Sequence, residues 1–174
     1  MANVYYIDGY NVIHRSSVLK PLAARSFETA REALIEKVAR FCTATGQKVT
    51  IVFDGRGRRA EHGNPAQHTP GLAVVYAPGH LSADAWIERT VYQSENRRAI
   101  VVVSADQGIR SLCRNLNALV VDPDTFLAEI REQDADTRAT MQNMARPDTA
   151  NRIEERLSGN ALDTLKKLRD QLNK

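Results

Sequence analysis

Cysteine is scarce in this chain, with two in 174 residues. Cys42 and Cys113 fall in helix-like stretches without metal-ligand spacing, which argues against a disulfide framework or a thiolate zinc site. Buried free thiols in a reducing compartment are expected instead. The histidines, His14, His62, His68 and His80, are also not spaced as ligands. Aromatic residues make up only 6%, so a sheet paved with base-stacking rings is not expected. No apolar run approaches a membrane span, and the opening residues lack a signal-peptide pattern. These absences predict a soluble, cytoplasmic protein with no membrane partner. Neither sign of charge dominates: the net charge is +3 and the pI about 9.0. Mild basicity permits a polyanionic partner without requiring one.

What is present is enough apolar residue, 43%, for one well-formed core. The positive charge is unevenly spread. Residues 1–80 hold 10 Lys+Arg against 6 Asp+Glu, whereas residues 81–174 hold 14 against 15. Arg56, Arg58 and Arg59 contribute much of the first-half excess.

Hydrophobic periodicity predicts strands at Val4–Ile7, Val49–Phe53, Leu72–Tyr76, Ala99–Val103 and Leu119–Val121. Helices are predicted at about 26–45, capped by Ser26 and ended by Gly46, at 82–94, at 106–115 and at 124–132. The polar, basic stretch after the first strand reads as a linker. Residues 54–71 read as a long loop without apolar periodicity. Alternating strands and helices imply a three-layer α/β/α domain with a mostly parallel central sheet. Residues 133–148 read as a polar linker. Residues 149–174 read as a C-terminal helical tail, with a stripe of Leu162, Leu165, Leu168 and Leu172 that suits docking.

Four acidic stations stand at or near the ends of the strands. Asp8 follows Tyr5-Tyr6-Ile7, Asp54 follows Ile51-Val52-Phe53, Asp84 and Glu88 open a helix, and Asp106 follows Val103-Ser104-Ala105. Each alone is explained by turn or cap chemistry. Together they would meet in the crevice beyond the strand carboxyl ends. Converging carboxylates repel unless a proton or cation intervenes, and hard oxygen donors select Mg²⁺ or Mn²⁺. Asn11 stands where it can orient Asp8 or a water. Ser104 reads as the cap of the 106–115 helix. Asp84 and Glu88, four apart, share a helix face. Arg56, Arg58 and Arg59 can clamp phosphates, and Lys48 is a further candidate for a phosphate backbone.

The ordered set Asp8-Gly9-Tyr10-Asn11, Ala30–Glu36, Val49–Gly55, Ala83–Glu88 and Val102–Asp106 resembles the YacP-like branch of NYN-domain proteins, which are PIN-like ribonucleases. The resemblance covers about residues 3–132. It implies a PIN-like fold over residues 1–132, a carboxylate-bound Mg²⁺ or Mn²⁺, and endonucleolytic cleavage of RNA. Some relatives act on mRNA at the ribosome, which makes mRNA and the ribosome candidate partners. Asp8, Asp84 and Asp106 match the family's metal-binding positions, and Asp54 and Glu88 match further acidic ones. The usual Ala-Asp-Glu is Ala83-Asp84-Ala85 here, one carboxylate fewer. A non-catalytic RNA- or ribosome-binding module on the same fold is the main rival. An Asp-nucleophile phosphatase is disfavoured because Tyr10 stands where a second Asp is wanted. A DNA 5′-nuclease is disfavoured because the chain lacks room for a helical clamp.

Overall fold

The computed structural model describes residues 3–55 and 69–145, with side chains to Gln142. The chain divides into compact units spanning 1–137 and 138–174, and the sheet and its core belong to the first. The strands are β1 (Val4–Asp8), β2 (Lys48–Asp54), β3 (Leu72–Ala77), β4 (Ile100–Val103) and β5 (Leu119–Val121). They form one wholly parallel sheet in the order β3-β2-β1-β4-β5. The helices are α1 (Gly9–Arg15), α2 (Leu19–Arg25), α3 (Phe27–Thr45), α4 (Ala83–Gln93), α5 (Gln107–Asn115) and α6 (Pro123–Ala145).

Strand side chains alternate between two faces, and each face has its own core. Tyr5, Ile7, Val49, Ile51, Phe53, Val101 and Val103 pack with α1, α2, α3 and α6. Val52, Ile100 and Val102 pack with α4 and α5 through Ile87, Val91, Ile109 and Cys113. β4 is buried at all four positions, as a strand covered on both faces must be. Both cysteines are buried free thiols. Burial pushes each thiol pKa up to about 11, which keeps both protonated and unreactive.

The caps explain several boundaries. The Ser26 hydroxyl accepts from the Thr29 N–H at 3.3 Å, and Gly46 ends α3 at φ 68°, a left-handed conformation that favours glycine. Three sequence-based expectations need correction. Residues 9–25 are not a linker but two seven-residue helices, held by Val12, Ile13 and Leu19, all fully buried. The last described helix does not stop at Glu132. It runs to Ala145, through residues assigned to a polar linker, because their Ala, Gln, Arg and Met are good helix formers even without an apolar stripe. Finally, Ser104 is not the cap of α5; Asp106 is. The leucine stripe of the C-terminal tail lies outside the described residues.

Candidate active site

β1 lies between β2 and β4, where the strand order reverses, and this switch point is where parallel sheets bind ligands. Asp8 pairs in register with Val52, and Ile7 with Val103. Asp54 therefore stands two residues past Asp8's partner on one side, and Asp106 three past Ile7's on the other. From the edge strand β3 the chain crosses over through α4, whose first turn carries Asp84. Strand order, which local sequence pattern does not encode, brings the four aspartates to one end of the sheet.

Three of the four hold a helix N-terminus. Asp8 Oδ1 accepts from the Asn11 N–H at 3.0 Å and caps α1. Asp54 Oδ1 accepts from the Ala83 N–H at 2.6 Å, tying the end of β2 to α4. Asp106 Oδ1 accepts from the Gly108 and Ile109 N–H groups at 2.8 and 3.1 Å, and its own N–H donates to Ser104 Oγ at 3.1 Å. The positive ends of three helices thus face the carboxylates and offset part of their repulsion.

Asp84 is different. Its Oδ1 is buried and has no hydrogen-bond partner. Burial raises its pKa, and the charges of Asp8, Asp106 and Asp54 raise it further, to about 6. Asp8, only 8% exposed, is also raised, first by burial and then by Asp54, against the lowering effect of the Asn11 N–H. The charge of Asp8 acts on Asp84, so Asp84 is the last of the pair to give up its proton. This is the behaviour of acidic groups crowded together without a counter-charge.

Close backbone approach makes the arrangement possible. A Cβ on Gly9 would lie 2.3 Å from the Phe53 ring, and one on Gly55 would lie 2.0 Å from the Ala77 carbonyl oxygen. A side chain at Gly9 would force either the buried Phe53 ring or the start of α1 to shift.

The other expected residues fall into distinct groups. Asn11 does not orient Asp8 through its side chain. Its backbone N–H caps Asp8, while its Oδ1 accepts from the Ala105 N–H at 3.2 Å. It therefore fixes the loop that carries Asp106. Glu88 is exposed. The carboxylates that act most on Asp84 are Asp8, Asp106 and Asp54, whereas Glu88 acts on Cys113. Lys48, expected on the RNA backbone, lies away from the aspartates. It begins β2 and Asp54 ends it, so about 20 Å of strand separates them. Arg56, Arg58 and Arg59 lie outside the described residues. Sequence reasoning missed the bracing by Ser104, which is fully buried; its place two residues before a cap aspartate was the available signal.

The chemistry of these donors fits a hard divalent cation: the oxygens are carboxylate, and one of them is buried and unpartnered. Among the described residues, no three His, Cys, Asp or Glu side chains are drawn together as a closed ligand set. The aspartates are electrostatic neighbours with an unsatisfied demand for positive charge.

Comparison with known proteins matches residues 5–170 to the YacP-like NYN domain. The chain is 33% identical over 94 residues to the uncharacterized protein YacP of Bacillus subtilis (strain 168), a match covering 54% of each chain. It thus spans about half the length of that curated relative. The crystal structure of Rae1 (YacP) from Bacillus subtilis superposes with a TM-score of 0.71 at 26% identity, covering 97% of this chain and 95% of that one. The crystal structure of a tryptophan-to-leucine mutant of the same Rae1 gives 0.70 at 26% identity, covering 84% and 86%. The α/β architecture is that of these structures and agrees with a PIN-like fold.

Proposed function

The chain belongs to the YacP-like NYN family, a nuclease-like, RNA-related assignment, and from that premise we propose that it is a divalent-metal-dependent endoribonuclease acting on mRNA, with the ribosome as the setting for cleavage and the cytoplasm as its location. The observation that carries this reading is the buried, unpartnered Oδ1 of Asp84 among three further carboxylates. An acidic cluster of this kind costs stability unless it serves to bind positive charge.

Asp8, Asp84 and Asp106 would hold Mg²⁺ or Mn²⁺, with Asp54 and Glu88 beyond them. A bound ion of this kind lowers the pKa of a coordinated water and stabilises charge on the phosphoryl group. Asp54 sets the start of α4 and hence the position of Asp84. Asn11 and Ser104 set the loop of Asp106. Arg56, Arg58 and Arg59 are assigned to the RNA backbone on sequence grounds. Protonation of Asp84 would compete with a cation for the site, so activity should rise with pH through about 6.

A second reading has a specific observation in its favour. Asp8 and Asp106 each cap a helix and Asp54 holds the N-terminus of another, which accounts for their presence in a non-catalytic RNA-binding module. Incubation of end-labelled structured RNA with Mn²⁺, Mg²⁺ or EDTA separates the two. The nuclease predicts internal cuts that require metal. A module predicts salt-sensitive binding and intact RNA under every condition, ribosomes included.

A further inference from the structure

We propose that a basic cavity formed by the α1–α2 turn, α3 and α6 binds a backbone phosphate of single-stranded RNA, giving the substrate a second anchor away from the carboxylates. The proposal rests on the ribonuclease function and adds to it a place where the chain holds its substrate.

The cavity has a volume of about 200 Å³, below the roughly 300–1,000 Å³ of small-molecule sites. It suits a ribose–phosphate unit better than a free metabolite. Arg15, Lys37 and Arg131 line it, each from a different helix, against one carboxylate, Asp124. Val18, which is 60% exposed, and Leu127 supply apolar surface for the sugar.

The cations are available for binding. Arg31, Arg40 and Arg110 are each held by carboxylates. Lys37, in contrast, has no carboxylate partner among the described residues, and Arg131 uses only Nε, on the Leu127 carbonyl at 3.1 Å. Arg15 meets Asp124 at 3.8 Å, with the two side chains 51% and 59% exposed. Such an exposed pair contributes little, and a phosphate can displace it. The turn is also preformed: Ser16 Oγ accepts from the Val18 and Leu19 N–H groups at 3.3 and 3.1 Å.

Placement favours RNA over a free anion. Asp8 caps one end of α1 and Arg15 ends the other, a rise of about 10 Å. A strand cut at the aspartates has its neighbouring phosphates within reach of this cavity. The acidic cluster repels a polyanion, and cations one short helix away counter that repulsion.

The test uses the full-length protein in EDTA, labelled single-stranded RNA oligonucleotides of increasing length, and a salt series from about 50 to 200 mM. The Lys37→Ala/Arg131→Ala double variant is compared with wild type after circular dichroism confirms its fold. Losing the one phosphate that the cavity neutralises should make the log Kd against log salt slope shallower by about 0.7. Affinity for the longer oligonucleotides should fall severalfold at low salt, while that for a dinucleotide should not change. With metal added, KM should rise at constant kcat. Unchanged affinity and slope would overturn the proposal. So would wild type that binds inorganic phosphate or an acidic peptide in this cavity but not RNA. Normal metal-dependent cleavage by a double variant with wild-type affinity would sink this inference alone. Cavity-dependent RNA binding without cleavage under any metal would sink the nuclease reading and leave this contact standing.

Discussion

Asp84→Asn should stabilise the metal-free protein at neutral pH, although it removes a residue assigned to the site. The folded state raises the Asp84 pKa from 3.8 to about 6. Between these values the folded chain binds more protons than the unfolded one. Stability is therefore fully present below about pH 4 and is lost as pH rises through 6. At about 1.4 kcal/mol per pKa unit, the ceiling on the cost at pH 7 is about 3 kcal/mol. Asp84 is only partly buried, and solvent screening reduces this to roughly 1–2 kcal/mol. Asparagine has the shape of the protonated acid and carries no charge. In EDTA at pH 7 the variant should melt about 3–6 °C higher than wild type, by the usual conversion for a chain of this size. The gain should vanish by about pH 4. Mn²⁺ should raise the wild-type melting temperature and close the gap, because an ion bound only by the folded state adds stability by mass action. Differential scanning calorimetry at pH 4, 5.5 and 7, with EDTA or Mn²⁺, provides the test. A variant melting at or below wild type in EDTA at pH 7, or a gain independent of pH, would refute the claim that crowded negative charge strains this site.

Three further outcomes follow from the same geometry. Gly9→Ala sets a methyl against the Phe53 ring and should cost about 1–3 kcal/mol in chemical denaturation, with cleavage reduced beyond what the lost folded fraction explains. Asn11→Ala leaves the Ala105 N–H without its acceptor; it should cost about 1–2 kcal/mol and weaken cleavage without abolishing it, whereas complete loss would mean that Asn11 acts chemically. Lys48→Ala should leave RNA cleavage and affinity at wild-type values in the same assays, since Lys48 begins β2, the strand that Asp54 ends.

Much of the fold was legible where one segment carried its own signal. The Ser26 cap, the Gly46 stop and the wholly apolar β4 all state their roles locally. The helices α1 and α2 did not, because seven residues are too few for a helix to stand alone. They exist because Val12, Ile13 and Leu19 find a core assembled from distant strands. The continuation of α6 past Glu132 was hidden for a related reason: its polar surface gives no periodic stripe, and part of its hold is a tertiary ion pair, Asp134 with Arg40. Asp8, Asp54 and Asp106 were visible one by one at or just past strand ends, and Asp84 at a helix start. Their assembly depends on strand order, and so does the demotion of Lys48, which lies near Asp54 in sequence and far from it along the strand. Asp84 stood out least in the sequence, as one more acidic residue in a helix first turn. Only burial among the other three distinguishes it.

The central claim is that these aspartates form a metal-dependent RNA-cleaving site. Its most direct test is the initial rate of cleavage of one labelled RNA across a Mn²⁺ titration, with wild type and Asp84→Asn side by side and ribosomes present or absent. Wild type should show a saturable, metal-dependent rate, and the folded variant none. Equal rates for the two proteins, or cleavage that persists in EDTA, would contradict it.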